Sequence, residues 1–129
     1  MDWKYARDAE TAHACFHRIT WTNVFRVGGF AGNPDSRMIQ LLLNEFNTLR
    51  DEINILKPQV TLFSTGRSYD DLLCQALGIT SVNFDQRGPF SIVSGLGDSV
   101  KVALRTQHFQ RLTNLQVEEI SKLLFATLA

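Results

Sequence analysis

The chain is short of the residues that staple or metallate a small fold. It has two cysteines, Cys15 and Cys74, and three histidines among 129 residues. Two thiols cannot build a disulfide framework or a four-thiolate metal site, so a reducing, intracellular and cytoplasmic setting is expected. Net charge is also missing: 13 Lys and Arg are matched by 13 Asp and Glu. That excludes a histone-like coat for DNA, and any nucleic-acid contact has to rest on a local basic patch. No apolar run approaches the length of a bilayer span, so no membrane partner is expected. The first twenty residues scatter charges where a secretory signal would be apolar. There is no internal repeat, no low-complexity segment and no serine-nucleophile motif.

What is present suits one domain over residues 1–129. With 44% apolar and 20% charged residues, the chain can bury a single core. Tyr5 to His17 reads as a helix, and the β-branched, aromatic run Arg18 to Val27 as a strand. Gly28, Gly29, Gly32, Asn33 and Pro34 form a loop, after which Asp35 or Ser36 caps a long helix. Its apolar positions Leu42, Phe46, Leu49, Ile53 and Leu56 step by 4, 3, 4 and 3. Val60 to Thr65 is a strand ending at Gly66. Ser68 with Asp71 resembles a capping box for a helix that stops at Gly78. Thr80 to Phe84 and Ser91 to Val93 flank a turn at Arg87-Gly88-Pro89, and Val100 to Leu104 is a firmer strand. Thr113 with Gln116 caps the last helix, whose inner face is Val117, Ile120, Leu124 and Leu128. Strands alternating with helices imply an α/β fold: three-layer α/β/α with a small, mainly parallel sheet.

Open α/β sheets bind ligands beyond the carboxyl ends of their strands. The residues expected there are Asn23 and Arg26, Ser64 to Arg67, Asp85 and Arg87, and Arg105 to His108 with Arg111 beyond. Helix amino ends near Ser36 and Ser68 point to the same rim, and their free N–H groups favour an anion. Two readings stand side by side: a phosphate site, or loops that are polar because loops usually are. His13 and His17 have a spacing that can ligate metal, but no further ligands lie near, and a pair of ordinary helix histidines accounts for them.

The run Ile19 to Arg26 (ITWTNVFR), followed by Gly32-Asn33-Pro34, resembles the uracil-DNA glycosylase-like superfamily. The resemblance continues through Leu56-Lys57-Pro58, the strand from Val60 to Gly66, and Arg105-Thr106-Gln107-His108-Phe109, where the superfamily has a strand ending in His-Pro. It implies hydrolysis of the N-glycosidic bond of a damaged base, uracil, in DNA, with no metal and no organic cofactor. The partner would be DNA, single-stranded or with one base flipped from the stack. Asn23 would read the Watson–Crick edge with its amide, and Phe30 would stack on the base. His108 would stabilise the charge on the departing base, and Arg67, Arg105 and Arg111 would hold phosphate.

The departures are as informative. The superfamily opens with a strand and a Gly-rich turn that carries the water-activating group, and only one predicted helix precedes the Thr-Asn strand here. Phe109 replaces the expected Pro. Val27 stands where the iron–sulfur branch has Cys, so no cluster is expected. Three explanations remain open: a piece of a longer enzyme, a shortened member that kept a binding rim without catalysis, or a likeness of fold alone. Beside the glycosylase stand two other functions, a non-catalytic nucleotide- or DNA-binding module and a protein-interaction domain. The last would include a homo-oligomer covering an open sheet edge.

Overall fold

A computed structural model describes residues 36–45 and 47–128, which fall in a unit running Asp35–Ala129. In chain order the elements are α1 (Ser36–Glu45), α2 (Thr48–Leu56), β1 (Val60–Phe63), α3 (Asp70–Leu77), β2 (Phe84–Arg87), β3 (Phe90–Val93), β4 (Val102–Thr106) and α4 (Asn114–Leu128). Short 3-10 turns cover Arg67–Tyr69, Ser81–Asn83 and Phe109–Arg111. The helix expected over Tyr5–His17, the strand over Arg18–Val27 and the glycine loop after it lie outside the described residues.

The unit is α/β, but its sheet is mixed where a mainly parallel one was expected. The strand order is β1-β4-β3-β2. β4 runs parallel to β1, with Phe63 opposite Arg105, and antiparallel to β3, with Ser91 opposite Arg105. β2 and β3 form an antiparallel hairpin closed between Arg87 and Phe90. The reason is connection length: the two-residue Gly88-Pro89 loop can only join antiparallel neighbours, whereas a parallel crossover needs a dozen residues or more. β2 lies at one end of the described strand order, and its charged residues Asp85 and Arg87 pair at 2.8 Å on that margin. Charge there discourages pairing with a further chain.

The periodic stretch from Leu42 to Leu56, expected as one helix, is two. Asn47 breaks it: its Oδ1 accepts from the Arg50 N–H at 3.2 Å, capping α2, while its Nδ2 donates to the Ala76 carbonyl at 2.6 Å. An amide that caps a new helix and ties it to the end of α3 outweighs continuation of the apolar stripe. Gly78 ends α3 in the left-handed conformation, φ 68°, as its position after the stripe predicts. The capping box before α4 forms as expected. Thr113 N–H donates to Gln116 Oε1 at 3.0 Å, and Gln116 N–H to Thr113 Oγ1 at 3.2 Å.

Alternation along β4 sends its side chains into two clusters. Ala103 joins Phe63, Val93, Leu49 of α2, and Leu73 and Ala76 of α3. Val102 and Leu104 join Phe90 and Ile120 of α4. All five residues of β4 are buried, including Arg105 and Thr106.

Candidate functional site

Because β1 and β4 are parallel neighbours, their carboxyl ends lie side by side, and hydrogen bonds stitch the following loops together. The Gly66 N–H donates to the Thr106 carbonyl at 2.9 Å, and the Ser64 hydroxyl donates to the Gln107 carbonyl at 3.3 Å. The segment Ser64–Gly66 is thus held against Thr106 and Gln107. The Arg111 N–H donates to the His108 carbonyl at 2.8 Å, closing the 3-10 turn that carries Arg111. Arg67, His108 and Arg111 are all exposed. His108 Nδ1 accepts a long bond, 3.4 Å, from the Gln110 N–H.

Arg105 does not stand with them. Expected to hold phosphate, it is instead 4% exposed and turned into the fold. Its Nε approaches Asp70 Oδ1 at 2.9 Å as an ion contact, and its Nη2 donates to Asp70 Oδ2 at 3.1 Å and to Ser91 Oγ at 3.0 Å. A longer bond of 3.4 Å reaches Gln86 Oε1, which also accepts from the Ser91 hydroxyl at 2.7 Å. The Phe84 ring centroid lies 5.9 Å from the guanidinium carbon. A cation this deep must be paired, and Asp70 supplies the charge that a bound phosphate was expected to supply.

The helix end near Ser68 differs from expectation in the same way. Ser68 lies in a 3-10 turn, and α3 begins two residues later with Tyr69 as cap and no side-chain cap bond. Asp70 and Asp71 occupy the first turn. The positive end of the helix dipole is therefore faced by the chain's own carboxylates. They also act on Cys74, one turn on: burial pushes its thiol upward from the usual 9.0, and Asp71 and Asp70 add to that.

Asn23 and Phe30 lie outside the described residues, as do His13, His17 and Cys15. Open depressions among the described residues include two. One, of about 480 Å³, is bounded by Asn44, Asn47, Arg50 and Gln75; the other, of about 470 Å³, by Ile92, Leu96, Lys101 and Leu123. Neither reaches Ser64–Arg67 or Gln107–Arg111. Among the described residues, no cluster of His, Cys, Asp and Glu could hold a metal ion, and no helix is long and apolar enough to cross a membrane.

Asp70, Gln86 and Ser91, the partners of Arg105, were not anticipated. The expected strand ended at Leu104 with Arg105 beyond it; the strand runs Val102–Thr106, which takes Arg105 inside it, where its charge requires a buried acceptor. Compared with protein-family models, with curated proteins and with solved structures, the chain matches none.

Proposed function

We propose that this chain is a DNA-binding protein of the uracil-DNA glycosylase-like kind, engaging DNA along the joined ends of β1 and β4. Its architecture in this reading is three-layer α/β/α, with α2 and α3 against one sheet face and α4 against the other. The observation that carries the reading is the pair of bonds from Gly66 to Thr106 and from Ser64 to Gln107. They put Arg67, His108 and Arg111 on adjoining loops at the sheet end where α/β proteins bind ligands. In a chain of zero net charge, two exposed Arg residues on loops adjoining that of an exposed His would make a local patch suited to phosphates. His108 would face the base oxygen; Asn23 and Phe30, which the resemblance assigns to the base, lie outside the described residues. Arg105 has no part in phosphate contact. The reaction served would be N-glycosidic hydrolysis of uracil extruded from the stack.

A second reading, DNA binding without excision, is favoured by one feature. His108 is exposed, whereas charge stabilisation of a leaving base is strongest where water is excluded. One experiment separates the two: titration of a uracil-containing single strand across a range of salt, with free uracil assayed in the same samples. Binding should weaken with salt, with a log–log slope of about −0.7 for each phosphate neutralised. Arg67→Ala and Arg111→Ala should each flatten that slope by about this amount. Uracil release that vanishes in His108→Ala establishes excision. Binding without release leaves the binding module, and absence of salt-dependent binding removes both readings.

A further inference from the structure

We propose that the Asp70–Arg105 pair is a positioning device that sets the loop carrying Arg67 against the strand end carrying His108. The proposal deepens the strand-end reading and rests on it for its functional meaning. Three observations converge. Arg105 is the residue of β4 just before the Thr106-Gln107-His108 exit, and Asp70 directly follows the turn Arg67–Tyr69, so the ion contact at 2.9 Å spans the two segments that bear the exposed cations. The pair is anchored from the hairpin side, since Ser91 of β3 and Gln86 of β2 both accept from Arg105 Nη2. The Gly66 N–H bond to Thr106 lies between the pair and the rim, so the pair and that bond together bracket Arg67. The charge-assisted Nη2–Oδ2 bond at 3.1 Å, with Nε and Oδ1 2.9 Å apart beside it, adds a buried ion contact to the single Gly66–Thr106 backbone bond. Arg105 and Asp70 are thus positioning residues and touch no ligand themselves.

The test is hydrogen exchange at single amides in the full chain, with oligonucleotide binding as a second arm. In Asp70→Asn the Gly66 amide should accelerate at least about tenfold more than the amides pairing β2 with β3, which report any loss of overall stability. If Asp70→Asn does not fold, Asp70→Glu is read in its place; it keeps the charge but displaces it by a methylene, and Gly66 must still accelerate. Unchanged Gly66 exchange overturns the proposal. So does acceleration by the same factor throughout the sheet, which would mark a general loss of stability. In the second arm, Arg67→Ala should cost less affinity for a single strand in the Asp70→Asn background than in wild type. Equal cost in both backgrounds overturns the positioning role. If the wild-type chain binds no strand at all, it is the DNA reading that falls, and Gly66 exchange decides the pair by itself.

Discussion

Arg105 and Asp70, separated by 35 positions in the chain, meet in an ion contact at 2.9 Å whose two ends differ in burial: the Arg side chain is 5% exposed and the Asp side chain 26%. The asymmetry decides what each deletion does. Asp70→Ala strands a cation in the interior and should lower stability by about 2–3 kcal/mol, toward the low side for a buried pair because water can approach from the Asp70 side. Pairing it with Arg105→Met removes the stranded charge and should restore a large part of that loss. Urea midpoints of the two variants check this; a double variant no more stable than Asp70→Ala would mean that Arg105 is held chiefly by Ser91, Gln86 and Phe84.

Asn47 serves two helices at once, so its replacements should separate the two roles. Asn47→Ala loses the cap of α2 and the bond to the Ala76 carbonyl, for a cost of about 2 kcal/mol. Asn47→Ser keeps a capping oxygen and should recover about half of it. The Ala76 carbonyl still accepts from Arg50 Nε at 3.2 Å in either variant, so neither leaves it orphaned. Thermal unfolding of the three proteins orders them, and equal losses for Ala and Ser would assign the whole effect to the Ala76 tie.

Cys74 should be a sluggish thiol. Burial first, then the Asp71 and Asp70 carboxylates, disfavour its thiolate, so alkylation in a Cys15→Ser background should run slower at neutral pH than for a free cysteine. Asp71→Asn removes one repelling charge and should speed the reaction, while burial keeps it below the free rate. The folded chain holds this proton more tightly than the unfolded one. Its contribution to stability is therefore complete well below the usual 9.0 and is lost as pH rises through and above that value. Alkylation rates and urea midpoints against pH test both statements.

Gly95 cannot be replaced cheaply. Its φ is 83°, and a Cβ there would sit 2.9 Å from Asn83 Nδ2. That amide is not free to swing, since Nδ2 donates to Ser94 Oγ at 3.2 Å and Oδ1 accepts from the Thr80 N–H at 3.0 Å. Gly95→Ala should cost about 2–3 kcal/mol, against about 1 kcal/mol for Gly97→Ala, where the backbone is strained but the space is open. A smaller loss at Gly95 than at Gly97 in denaturant titrations would contradict the contact.

Local features of this chain were legible because they are decided within a few residues. The stop at Gly78, the capping box at Thr113 and Gln116, and the buried stripe of α3 through Leu73 and Ala76 depend on spacing and on side chains that bond to the nearest backbone. A turn at Arg87-Gly88-Pro89 was legible, but the strand before it was expected over Thr80–Phe84, where Ser81–Asn83 is a 3-10 turn and the strand runs Phe84–Arg87; that β3 also pairs antiparallel with β4 is a long-range matter. Asn47 looks like any polar residue in an amphipathic helix until the Ala76 carbonyl arrives from 29 positions away. Arg105 shows the same division at the candidate site. Its cationic chemistry and its place near a strand end were written in the sequence, and they suggested phosphate. Only folding, which set Asp70 of α3 and Ser91 of β3 around it, determined that this charge is spent inside the protein while Arg67 and Arg111 remain in water, because a buried cation is tolerable only where a distant carboxylate is brought to meet it.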